Sequence, residues 1–126
     1  MFPMYIRIAW NDYFTVTNPT NYNSKTYTSG QNLSDTSVHV SNCLFISCTS
    51  SNCGGAIYCT SVSYFLVESS SFFSCKTSNG NGGAIYFVNS NGQCVLHEVC
   101  GYDCNETCTS GNSYNQFARI IVNNAA

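Results

Sequence analysis

Gly82-Gly83-Ala84-Ile85-Tyr86 decides how this chain is read. The same five residues stand once before it, at Gly54-Gly55-Ala56-Ile57-Tyr58, 28 residues upstream. A second matching piece precedes each copy: Phe45-Ile46-Ser47-Cys48 before the first, Phe72-Phe73-Ser74-Cys75 before the second. Paired matches at a fixed period mark a stacked repeat architecture, in which like residues of successive units touch.

Laying three copies in register extends the pattern outward. Val38, Phe65 and Cys94 share a column, as do Val40, Val67 and Leu96. Phe45, Phe72 and Gly101 share another, and Cys48, Cys75 and Cys104 form a cysteine ladder. The columns between are less uniform: His39, Leu66 and Val95, then Ser41, Glu68 and His97. Uniform apolar columns alternating with variable ones are the period-2 mark of strands with one face inward. Each copy is predicted to hold three short strands, at 64–68, 71–75 and 82–88 and their equivalents, with no helix in the repeat. The fold class expected is all-β: a short right-handed parallel β-helix of about three rungs. An antiparallel β-sandwich is the alternative, but it does not need identical motifs at equal spacing.

The motif residues have physical tasks in such a coil. Gly54 and Gly55, like Gly82 and Gly83, stand where the chain turns into a strand, where positive φ or close backbone approach is needed. Ala56 and Ala84 fit a tight inner corner. Ile57 stacks on Ile85, and Phe45 on Phe72, because neighbouring strands lie about 4.8 Å apart.

The flanks are less regular. Residues 1–36 are read as a degenerate N-terminal rung or cap, with strands at 5–8 and 13–17 and then a polar loop from Thr20 to Asp35. Residues 37–126 hold the repeats. The stretch 116–123 lies on 82–89 as a divergent last strand in which only the Ala, Val and Asn agree.

Composition narrows the class. Only 8% of the 126 residues are charged, against a usual share of about 25%. Ser, Thr and Asn (18, 11 and 16 residues) take their place at the surface. A net charge of -2 gives no basic footprint for nucleic acid. Nine cysteines favour an oxidising compartment, and their odd number leaves at least one unpaired or paired outside this chain. Sequons at Asn32 and Asn105 are N-glycosylation candidates. The first ten residues make a poor signal peptide and no segment has the apolar length of a membrane span. The expectation that reconciles these points is a fragment of a longer, extracellular or cell-surface protein.

The tandem Gly-Gly-Ala-Ile-Tyr motif with its upstream Phe-x-x-Cys resembles the repeats of chlamydial polymorphic outer-membrane proteins, whose pattern is Gly-Gly-Ala-[Ile/Leu/Val] with Phe-x-x-Asn. Cys48 and Cys75 in place of that Asn make the chain more similar to the Cys-rich repeats of protist surface proteins such as those of trichomonads. The resemblance covers roughly residues 38–105. It implies a β-helical surface protein, with adhesion or host contact as its function and a host-cell or extracellular glycan or protein as its partner. Neither the family's autotransporter barrel nor its anchor is expected within these 126 residues.

Several constellations could carry chemistry. The ladder Cys48, Cys75 and Cys104 admits reduced buried thiols, disulfides or metal; in-register Cβ atoms about 4.8 Å apart exceed the preferred disulfide value of about 3.8 Å. Cys94, His97, Cys100, Cys104 and Cys108 are the right ligand types for zinc. Their even spacing spreads them along a strand, with Cys94, Cys100 and Cys104 expected inward and His97 outward, so no metal and no other cofactor is expected. Among the acids, only Glu68 stacks on a titratable neighbour, His97, and no two carboxylates stack as a glycosidase pair would. No catalytic residue is expected. Tyr58 and Tyr86 are weak binding candidates with Glu68 and His97, the plainer reading of the tyrosines being cross-rung stacking. A non-catalytic structural or adhesive repeat is thus the leading reading. A carbohydrate-binding or polysaccharide-cleaving β-helix and a Cys/His metal-binding module are the alternatives.

Overall fold

A computed structural model of the chain describes residues 10–106 and 116–122. A single helical turn, α1 (Trp10–Tyr13), is followed by β1 (Thr20–Asn23), β2 (Thr26–Tyr27) and β3 (Gln31–Leu33). Next come β4 (Ser37–Ser41), β5 (Leu44–Ile46), β6 (Thr49–Ser50) and β7 (Ile57–Cys59). The second repeat supplies β8 (Tyr64–Phe73), β9 (Lys76–Thr77) and β10 (Ile85–Asn89). The third supplies β11 (Gln93–Tyr102), β12 (Asn105–Glu106) and β13 (Ala118–Val122).

The protein is all-β, and its strands pair in parallel. The chain visits three curled sheets in a fixed order, and each repeat adds one tier. The first sheet holds β1, β2, β4, β5, β8 and β11, with β8 pairing with both β4 and β5 and with β11. The second runs β13-β10-β7-β3, and the third runs β12-β9-β6. The pairing has the register of the sequence columns: Val38 on Phe65 on Cys94, and Phe45 on Phe72 on Gly101.

The core is built from these columns. Val38, Val40, Phe45, Ile57, Phe65, Val67, Phe72, Ile85 and Phe87 are buried together. Tyr27, Phe45 and Phe72 stack ring on ring, at 4.9 Å and 4.6 Å between centroids. Phe65 stacks on Phe87 at 5.5 Å. Ile57 lies on Ile85. Both glycines of the pair are needed. Gly54 and Gly82 have φ of +66° and +69°, and a Cβ on either would also lie 2.2 Å from a main-chain oxygen, that of Ile57 or Ile85. Gly55 and Gly83 pass so close to neighbouring backbone that a Cβ on Gly83 would lie 2.6 Å from Asn105 main-chain atoms.

Corners are made by left-handed residues that are not glycine. Ser24, Asn42, Ser69 and Glu98 occupy one corner column, with φ between 48° and 55°. Ser47, Ser74 and Asp103 occupy a second, with φ of 52° to 53°. Short polar side chains tolerate this region best. The strands read separately at 64–68 and 71–75 are therefore one strand, β8, bent at Ser69. The motif strand begins at Ile85, with the glycines forming the turn before it.

The sequence reading of the flanks is corrected in three places. The stretch Thr20–Asp35, read as a loop, supplies a complete tier through β1, β2 and β3. Tyr22, Tyr27 and Leu33 are its inward residues, and the rest are polar because they face out. Residues 13–17 form no strand; Tyr13 ends α1 and Phe14 N–H closes the turn onto Trp10 O at 3.0 Å. The strand read at 5–8 lies outside the described residues. Finally, β13 pairs Ala118 with Ile85 and Arg119 with Tyr86, one residue away from the alignment of Ala118 on Ala84. A one-residue slip exchanges the two faces.

Candidate functional site

The outer face of the first sheet is partly covered. Trp10 and Phe14 pack over Leu66, with Tyr13, Tyr64 and Val95 around them. This explains the mixed column His39, Leu66, Val95, which is neither core nor open surface. Trp10 is fixed by donating its Nε1–H to Val16 O at 2.6 Å and by the Phe14 ring at 4.6 Å. Phe14 in turn meets Tyr64 edge-on at 5.4 Å.

Beneath this cover lies the one buried His–Glu pair among the described residues. His39 Nε2 and Glu68 Oε2 are 3.5 Å apart. Glu68 is only 7% exposed, and neither of the two facing atoms has another hydrogen-bond partner among the described residues. The register of Glu68 on His97 is as the columns require. Glu68 is nevertheless buried, and its nearest charged neighbour is His39. His97 turns to its own neighbour Glu98, 3.7 Å away. A cleft of about 580 Å³ opens beside His39, between α1 and β1. The sequence signal that could have found this site is the indole at Trp10, the chain's single tryptophan, ahead of a mixed outer column.

Tyr58 and Tyr86 come together on the second sheet, stacked at 5.3 Å and 6°. Asn32 precedes them in the column and Arg119 follows. The facing surfaces of the two rings are thus taken by each other. Burial is the first cause, and the Cys53 charge the second, that push the Tyr86 hydroxyl above its ordinary pKa. A recess of about 370 Å³ lies at the Asn32 end, lined by Ser50, Asn52, Cys53 and Tyr58. A second groove, of about 510 Å³, runs along the third sheet past Thr49, Ser50, Lys76 and Ser78. Lys76 pairs there with Asp103 at 3.4 Å.

The cysteine ladder forms as a column. Each thiol donates to the carbonyl of the aromatic residue one tier back: Cys48 to Tyr27 O (3.4 Å), Cys75 to Phe45 O (3.6 Å) and Cys104 to Phe72 O (3.4 Å). All described cysteines are free. The hydrogen bond shared between Cys75 and Cys104 raises the first thiol's pKa, helped by burial, and lowers that of the second. Burial alone pushes Cys94 up to about 12 and raises Cys59 as well, the Cys94 charge adding to the latter.

The candidate metal residues do not converge. Cys94 and Cys104 pack against the core, whereas Cys100 is exposed, contrary to its expected inward position. The left-handed residue Glu98 resets the alternation, so Val99 and Gly101 take the inner face and Cys100 the outer. Cys108 lies outside the described residues, among which no group of three metal-ligating side chains occurs. The two sequons differ. Asn32 is exposed on β3, while Asn105 is paired in β12 beside Glu106. Glu106 is 2% exposed and accepts the Gly82 N–H at 2.8 Å. No helix among the described residues is long and apolar enough to cross a membrane.

No family model, no curated protein and no solved structure matches this chain.

Proposed function

We infer that the tiers wind as a right-handed parallel β-helix and that the chain is a non-catalytic module of a surface-exposed repeat protein, with a structural or adhesive role. The observation that carries this reading is the use made of the repeated residues. Gly54 and Gly82 set turns, Ile57 stacks on Ile85, Phe45 on Phe72, and Tyr58 on Tyr86. The repeat is thus spent on building tiers, and the variable outer positions are left to meet a partner. Parallel strands joined by crossovers are right-handed in nearly all proteins, which supports the handedness. The Gly-Gly-Ala-Ile-Tyr resemblance to surface-protein repeats supports the setting.

The test is antibody labelling of intact source cells beside permeabilised ones, followed by binding of protein-coated beads to target cells or matrix. Labelling of intact cells and saturable bead retention are expected. Labelling that appears only after permeabilisation overturns the surface reading. Surface labelling without bead retention leaves a structural role and removes the adhesive one.

A further inference from the structure

We propose that Asn32 is an N-glycan attachment site whose first sugar is seated on the ring face of Tyr58 that Tyr86 leaves free. The proposal rests on the surface reading for the route the chain takes, and it names the modification and its seat.

The fold presents this sequon to solvent. β3 is the end strand of the second sheet and, among the described residues, pairs with β7 alone. Alternation along the strand turns Leu33 into the core at 6% exposure. It leaves Asn32 and Ser34, the two residues whose chemistry the sequon needs, exposed on the other side. No side-chain hydrogen bond ties the Asn32 amide to another described residue. Its neighbour Gln31, by contrast, is committed to Ser29 O at 3.0 Å. The second sequon has neither advantage: Asn105 is half-buried, and the residue across from it is Lys76, which offers no ring.

The seat follows from the register. Asn32 stands directly across from Tyr58, in the column Asn32, Tyr58, Tyr86, Arg119. Tyr58 and Tyr86 are parallel within 6°, so Tyr86 takes one face of Tyr58 and the opposite face looks toward the tier of Asn32. The recess of about 370 Å³ lies there, walled by Asn32, Tyr58, Ser50, Asn52 and Cys53, and Tyr58 keeps part of its surface open. An Asn side chain ends well short of a Tyr ring, and neighbouring strands lie about 4.8 Å apart. A sugar joined to Asn32 Nδ2 therefore puts its ring where a tyrosine at position 32 would put one, at stacking distance from Tyr58. Its C–H face meets the apolar ring, and the side chains of Ser50 and Asn52 meet its hydroxyls. In the joining step Asn32 Nδ2 loses a proton and bonds to C1 of the sugar. The C1–O bond to a lipid-linked diphosphate donor breaks, and the diphosphate leaves with the electron pair. A glycan so placed also shields the open edge of β3 from addition of a further strand.

The experiment isolates the full chain from its own cells and maps it by mass. Cleavage after Lys and Arg separates residues 26–76, which hold Asn32, from residues 77–119, which hold Asn105. A mass increase on 26–76 is expected, removed by peptide-N-glycosidase to leave a carboxylate at position 32. Ser34→Ala, which spares Asn32 itself, should abolish it. With the glycan trimmed to its first sugar, the NMR signals of that sugar's ring protons should move upfield under the Tyr58 ring current. Tyr58→Leu should lose this shift and keep the glycan. An unmodified Asn32 overturns the proposal. On cells that label intact it falls alone; with labelling only after permeabilisation it falls together with the surface reading. A glycan at Asn32 on a chain that labels only after permeabilisation upholds the site and removes the surface reading. A glycan at Asn32 whose sugar protons are unshifted overturns the seat on Tyr58.

Discussion

Phe117 meets Phe72 edge-on, ring centroids 5.5 Å apart at 82°, and fills the place that a side chain at position 101 would take. A Cβ on Gly101 would stand 2.5 Å from the Phe117 ring. The column Tyr27, Phe45, Phe72 therefore ends not with a fourth in-register aromatic but with one borrowed from the segment before β13. Phe117→Ala should destabilise the fold by about 3 kcal/mol, the usual cost of emptying a packed aromatic site. Gly101→Phe should also destabilise, because two rings compete for one space. The double variant should be more stable than either cost summed would allow. Urea unfolding of the four proteins measures the coupling, and strict additivity would place Phe117 outside this space.

Both glycines of each motif should resist substitution. Gly54→Ala places a side chain at φ +66° and also drives its Cβ to 2.2 Å from Ile57 O, a main-chain atom. The cost should therefore exceed the about 1–2 kcal/mol of the left-handed region alone, and Asn, which tolerates that region, should not rescue it. Gly55→Ala drives a Cβ into the Gly83 carbonyl and the Lys76 backbone, which cannot rotate away. Its cost should be about 3 kcal/mol, and Asn should be worse than Ala there. Midpoints of chemical unfolding for the four variants measure these costs; a full rescue by Asn at position 54 would show that only the backbone conformation demands glycine there.

The same motif explains what was legible in the sequence. Columns such as Phe45–Phe72 and Ile57–Ile85 stand out because, in parallel in-register stacking, each tier repeats the steric demand of the last. Devices that occur without a fixed residue type were not legible. Ser69 and Glu98 turn the same corner with unrelated side chains, so the phase change that sends Cys100 outward left no trace. The third sheet is made of strands such as Lys76–Thr77, two residues long, too short to show any period. Thr20–Asp35 reads as a loop because only Tyr22, Tyr27 and Leu33 of that tier turn inward. The site beneath Trp10 joins an N-terminal segment to an outer column, and a pairing so far apart in the chain has no local signature.

The His39–Glu68 pair gives a test of that cover. Removing one partner of a buried polar pair leaves the other facing apolar surroundings, at a cost of about 1–3 kcal/mol, whereas an apolar pair of similar volume is often neutral. His39→Ala and Glu68→Ala should each be destabilising, and His39→Leu with Glu68→Met close to wild type. The fluorescence of Trp10, 5.8 Å from His39 between ring centroids, should shift toward that of exposed indole in the single variants. Mild effects in both singles would mean that α1 does not seal this face.

The buried thiols set an alkaline limit on stability. Cys59 and Cys94 hold their protons in the folded chain because burial raises their pKa values, Cys94 to about 12. An unfolded thiol releases its proton near pH 8.5. Between those values the unfolded state binds fewer protons than the native state, so stability falls as pH rises. Each such thiol can contribute up to about 1.4 kcal/mol per pH unit. Cys104 acts in the opposite sense. Its pKa is lowered by the Cys75 hydrogen bond, so its contribution grows from its folded value up to about pH 8.5 and then levels off. Thermal unfolding under reductant should therefore show stability holding or rising slightly up to about pH 8.5 and falling beyond it. Cys59→Val should flatten the fall without changing the neutral-pH fold. Alkylation resolved by peptide mapping should label Cys104 at lower pH than Cys94 or Cys75. A melting profile that is flat from pH 8 to pH 10, with all three labelled together, would show that these thiols are open to water and not part of the core.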